Sequence, residues 1–178
     1  MTIKIMTGMM LAVSLLTACD SRSSDATSGD LAYQTIEFHK QGGKDCTPNG
    51  DTPSNDVICA VVHLAYPQIN NPDGNPATTK INQFIQTELL AFESEDGKTP
   101  QTAEELANLF INDYLKIPNI ANSWSLERRL NVVFATAKLI TLRFSEFSHQ
   151  SDPQPASGQT FYNIERQTGR LLQLNDLL

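Results

Sequence analysis

KLITLRFSEF, residues 138 to 147, alternates along its length: Ile140, Leu142 and Phe144 are apolar, with Thr141, Arg143 and Ser145 between them. Successive strand side chains point to opposite faces, so this pattern predicts a strand with one face buried and the other wet. One-sided burial is the habit of antiparallel sheets. Just upstream, LERRLNVVFAT carries Leu126, Leu130, Val132 and Phe134 on one parity. Downstream, SHQSDPQPASGQ (148 to 159) reads as a loop, and TFYNIERQTGRLLQL (160 to 174) as two strands turning at Thr168 and Gly169.

The first half has a different rhythm. LAYQTIEFH (31 to 39) is a strand candidate, and VICAVVHLAY (57 to 66) is apolar enough to be a strand covered on both faces. NNPDGNP (70 to 76) breaks the chain. Ile81, Phe84, Ile85, Leu89 and Phe92 then recur at helical spacing, with Pro76 suited to a first turn. A second helix opens at Thr102, with Glu105 three residues on completing a capping box. Leu106, Leu109, Phe110, Tyr114 and Ile117 form its apolar stripe, and Pro118 stops it. Two strands, two helices and a run of antiparallel strands predict an α+β domain over residues 31 to 178, an antiparallel sheet with two helices packed on one face.

The front of the chain is an address. Lys4 and the α-amino group precede an uncharged run from Ile5 to Leu16, too short for a bilayer but suited to an export signal. Leu16-Thr17-Ala18-Cys19 resembles the bacterial lipobox, which implies a signal peptide over residues 1 to 18, cleavage before Cys19, and acylation of Cys19 with lipid such as palmitate. The alternative is an ordinary signal cut after Ala18. Residues 19 to 30 hold no large apolar side chain and read as a tether. The expected location is the extracytoplasmic (periplasmic) side of a bacterial cell membrane, lipid-anchored through Cys19. Asp20 is similar to the signal that retains enteric lipoproteins in the inner membrane.

The whole chain has a formal charge of −7, and removing residues 1 to 18 removes Lys4 and no acid. The mature charge is therefore −8, which argues against nucleic acid and anionic lipid surfaces and favours a basic partner. Cys46 and Cys59 are the remaining cysteines. In an exported chain a disulfide is the default for such a pair, and a loop of this length gains about 3 kcal/mol in the chain-entropy model. The rival is a metal site of His39, Cys46, Cys59 and His63, in which Cys59 and His63 would stand roughly 13 Å apart along one strand, too far for one ion.

No catalytic motif is legible, so the expectation is a protein that is not an enzyme and uses no cofactor or metal. G-x-S-x-G, G-x-x-x-x-G-K-[ST] and H-E-x-x-H are all absent. Glu93, Glu95, Glu104 and Glu105 sit at expected helix ends, where acids cap or are solvated. Asn71, Asp73 and Asn75 mimic a calcium loop, but Pro76 replaces its glycine and Asn82 its glutamate.

YPQINNPDGNPATTKINQFI (66 to 85), with AKLITLRFSEF and FYNIERQTGRLLQLNDLL, resembles the extracytoplasmic domain of RsiV-type anti-sigma factors, also found ahead of the catalytic domain in PdaC-type deacetylases. In the RsiV type that domain binds lysozyme, so the resemblance implies a non-catalytic binding module for a basic protein such as lysozyme. The alternatives are a structural lipoprotein without lysozyme affinity and a remnant of a larger envelope enzyme. The family's Gly-Gly-Ala-His run is missing before the Tyr-Asn strand, and the family domain continues beyond the Asp-Leu motif. RLLQLNDLL is therefore expected to end an incomplete copy of the fold, with Asp176 placed as a helix N-cap.

Overall fold

The computed structural model describes residues 31–43, 46, 58–118, 122–150 and 154–176. The signal peptide (1–18), Cys19 with its tether (19–30), most of the loop between Cys46 and Cys59, and Leu177 and Leu178 lie outside the described residues. Eight strands and helices follow in the order β1 (Tyr33–Gly42), β2 (Ala60–Ile69), α1 (Pro76–Leu89), α2 (Ala103–Lys116), β3 (Trp124–Ala135), β4 (Leu139–His149), β5 (Ala156–Glu165) and β6 (Arg170–Leu171), with a 3₁₀ turn at Leu174–Asp176.

The strands form one six-stranded sheet in sequence order. It is mixed, which corrects the antiparallel expectation: β2 and β3 run parallel, with Ala60 opposite Trp124 and Ala65 opposite Arg129. Parallel neighbours need a long crossover, and the connection carrying α1 and α2 is that crossover. The other four pairings are antiparallel. The α+β class, with one sheet and two helices, stands.

Both helices bury the stripes that their spacing predicts. Ile81, Ile85 and Leu89 from α1, and Leu106, Phe110 and Tyr114 from α2, join Val62, Leu64, Leu126, Leu130, Leu142 and Ile164 of the sheet in one core. Asn75 caps α1 by accepting from the Ala77 N–H at 2.8 Å, with Pro76 in the first turn. Thr102 caps α2 by accepting from the Glu105 N–H at 3.1 Å. The reciprocal bond of the box is displaced by one residue, because the Glu105 carboxylate accepts from the N–H of Gln101 at 2.7 Å.

Three local expectations are corrected. In β3 the register slips between Val132 and Phe134, making Val133 an extra residue. Such a bulge reverses the parity beyond it. Ala135 is therefore buried, and Phe134 is left 47% exposed. The loop read over 148 to 159 is shorter, since β4 continues to His149 and β5 begins at Ala156. In β2, Val61 and His63 are only half-buried, so the apolar run is not covered on both faces. Asp176 does not start a helix; its carboxylate accepts from the Gln173 N–H at 2.7 Å and pairs with Arg170 at 3.0 Å.

Candidate functional site

Cys46 and Cys59 form a disulfide with their Cα atoms 6.0 Å apart. Cys59 is fully buried at the start of β2, where its N–H donates to Ser123 Oγ at 3.0 Å. The neighbouring Ile58 carbonyl accepts from the Tyr114 hydroxyl at 3.0 Å. The bridge therefore fastens the loop before β2 to the Tyr114–Trp124 end of the core, where the two rings meet at 5.7 Å. Both sulfurs of the weighed metal site are thus taken up in a covalent bond.

His39 and His63 face each other across β1 and β2, with ring centroids 6.1 Å apart. Arg129 Nη2 lies 3.2 Å from His63 Nδ1. A guanidinium can only donate, so Nδ1 is the acceptor and the ring proton sits on Nε2. These side chains stand on the sheet face away from the helices, together with the exposed rings of Phe147 and Phe161.

The asparagines that mimic a calcium loop hold the fold instead. Asn71 Oδ1 accepts from the Asn75 N–H at 2.6 Å, and its Nδ2 donates to Asn75 O and Thr79 Oγ1. Asn82 grips the end of β2, accepting from Ile69 N at 3.0 Å and donating to Ile69 O at 2.9 Å. That reciprocal pair gives the Ile-Asn of the first motif a structural task.

The acids at the helix ends gather in the segment joining α1 to α2. Glu93, Glu95, Asp96, Glu104 and Glu105 are all exposed, and Lys98 is the one basic residue within 93–105. The backbone beneath them is tied down. Buried Asp113 accepts from the Glu95 N–H at 3.0 Å, and Ser94 Oγ accepts from Lys98 N at 3.1 Å. Arg128 donates to the carbonyls of Leu89 and Ala91 at 2.9 and 3.0 Å. Lys116 bridges Asp96 and Asp113 at 2.8 and 2.9 Å. The hydrogen bond from that ammonium, backed by its charge, holds Asp96 below the usual carboxylate range, and the two acids push Lys116 upward. Glu104 pairs with Lys40 of β1.

Beside this segment, a groove of about 1150 Å³ runs along α1 and opens to solvent. Gln68, Gln83, Gln86 and Gln101 line it with carboxamides, Thr79, Thr87 and Thr99 with hydroxyls, and Leu90, Phe92 and Pro100 with apolar surface. Glu93 is the one charged residue in the lining. Sequence reasoning did not single out these glutamines. The signal was present: between Thr78 and Thr87 the outward face of α1 is almost free of charge, where exposed helix faces are ordinarily charged. Deeper in, the Tyr162 hydroxyl donates to Glu88 at 2.6 Å, and its ring meets Phe84 edge-on at 5.0 Å.

No family model and no curated protein matches the chain. Two solved structures do. One is a DUF3298 family protein from Pseudomonas aeruginosa, with a TM-score of 0.57, 15% identity, and coverage of 82% of this chain and 56% of its own. The other is a member of the same family from Bacteroides fragilis, with a TM-score of 0.59, 16% identity, and coverage of 83% and 61%. What is shared is the fold. The chain spans about 56% and 61% of the lengths of these neighbours. Among the described residues no helix is long and apolar enough to cross a membrane, and no three His, Cys, Asp or Glu side chains are placed to hold one metal ion.

Proposed function

We propose that the chain is a non-catalytic binding module, held by lipid on Cys19 at the extracytoplasmic side of a bacterial membrane, whose acidic segment meets a basic protein such as a lysozyme. One observation carries this reading. Five exposed carboxylates lie within 93–105, on a backbone that Asp113, Ser94 and Arg128 hold in place. Charges already fixed in position give up little freedom on binding, and a field of one sign speeds encounter with a partner of the other. The lipobox-like Leu16-Thr17-Ala18-Cys19 and the polar stretch after it support the anchor.

The test titrates the full chain, in a non-ionic detergent, with a basic lysozyme at low and at physiological salt. Binding that weakens as salt rises is expected, because exposed charges are screened over about 8 Å at physiological ionic strength. No binding at low salt overturns the choice of partner. The anchor is checked separately by mass spectrometry of the N-terminal peptide, where an unmodified Cys19 overturns it.

A further inference from the structure

We infer that the groove along α1 is a binding site for a neutral glycan chain, a role separate from that of the acidic segment. The decisive feature is how the amide side chains around it divide. Asn71 and Asn82 are fully engaged in holding the turn before α1 and the end of β2. Among the described residues, the carboxamides of Gln68, Gln83, Gln86 and Gln101 make no hydrogen bond, and all four border the same groove. Each offers two donors and an acceptor with two lone pairs, which matches a ligand covered in hydroxyl groups that both give and accept. Gln83 and Gln86 stand three residues apart on one face of α1, one turn from Leu90 and close to Phe92, so polar and apolar surface alternate along the groove. A sugar ring has the same alternation, hydroxyls at its rim and C–H groups on its faces.

Other ligand classes fit less well. No lysine or arginine lines the groove, which disfavours phosphate, nucleic acid and carboxylate ligands. A single carboxylate, Glu93, is too few for a hard cation. Small-molecule pockets run to about 300–1,000 Å³ and are mostly apolar; this groove is larger, open, and rich in amides. An extended peptide would seek a free strand edge. Beyond Ala65, β2 has no β3 partner, yet that edge is closed: Pro67 has no N–H, and Asn82 occupies both backbone groups of Ile69. The backbone of α1 is paired within the helix and offers nothing more.

The experiment is calorimetric titration of the full chain, held in a detergent without sugar head groups, with cellohexaose, chitohexaose, a neutral Gly/Ser peptide of similar length, and polyphosphate. Binding of at least one saccharide, with neither the peptide nor polyphosphate bound, is expected. In the Gln83→Ala/Gln86→Ala double variant that affinity should fall about five- to tenfold, the scale of two lost neutral hydrogen bonds. Alanine suits an exposed helix, so the thermal melt should stay unchanged; Gln101→Ala, which lies outside the helix, gives an independent second variant. Binding of neither saccharide, preference for the peptide, or unaltered saccharide affinity in both variants overturns the assignment. Lysozyme takes no part in this measurement, so its outcome and that of the basic-partner test are independent.

Discussion

The Arg128 guanidinium lies 2.5 Å from the Glu146 carboxylate across β3 and β4, with Arg128 only 6% exposed. Its other two nitrogens donate to the carbonyls of Leu89 and Ala91, where α1 ends. One side chain thus satisfies carbonyls that a helix end leaves open and places positive charge at the negative end of the helix dipole. It also fixes the backbone from which both the groove and the acidic segment continue.

Replacing Arg128 with Met should therefore cost about 2–4 kcal/mol, because it removes one partner of a largely buried pair and strips two carbonyls of their donors. Glu146→Gln should cost less, about 1 kcal/mol, since that carboxylate is partly solvated and the carbonyl bonds survive. Urea denaturation of both variants checks the order. Equal losses would mean that the ion pair, and not the cap on α1, carries the effect.

Reducing the Cys46–Cys59 bridge should lower stability by about 3 kcal/mol, from the entropy its loop regains in the unfolded chain. Denaturation curves with and without reductant measure this. Peptide mapping without reductant should recover Cys46 joined to Cys59.

Gly169 sits at φ +70°, and a Cβ there would come within 2.7 Å of the Ala77 carbonyl oxygen. Gly169→Ala should cost about 1–3 kcal/mol, since the backbone is strained and the β5–β6 turn must move away from α1. Gly74 also has positive φ, at +66°, but has nothing within 4 Å, so Gly74→Ala should show the backbone cost alone. A smaller loss at Gly74 is the expected thermal-melt result.

Burial, and then the bond to Glu88, push the Tyr162 hydroxyl up to about 12. The folded chain therefore holds this proton more tightly than the unfolded one, whose phenol titrates near 10. The stabilisation is complete below about pH 10 and is lost as pH rises towards about 12. Tyr162→Phe should flatten the fall in stability across that window. Absorbance titration of the phenolates should likewise lose its most alkaline component in the variant.

The helices were legible because their signals are local: Asn75-Pro76, Thr102 with Glu105, and two apolar stripes at helical spacing. The parallel pairing of β2 and β3 was not, because alternation within a strand carries no information about the direction of its neighbour. The bulge at Val133 was equally hidden, since VVF offers no Gly or Pro to mark it. Arg128 shares the parity of Leu126 and Leu130, so its burial was written in the strand pattern, although its partners come from β4 and the end of α1. The acids of the 93–105 segment were visible as helix-end acids. The groove beside them depends on a fold that brings Gln68 and Gln101 to one side of α1.

The claim that the acidic segment is a binding surface is tested most directly by reversing charge on Glu93 and Glu95, two exposed residues with no ion pair among the described residues. The Glu93→Lys/Glu95→Lys double variant and the unaltered chain would be titrated with a basic lysozyme at low salt. Like charges set against each other at a contact oppose binding strongly. The expected result is a loss of affinity of at least about tenfold, roughly 1.4 kcal/mol, with an unchanged melting temperature. Equal affinity in the two proteins would contradict the assignment of this segment as the surface that meets the partner.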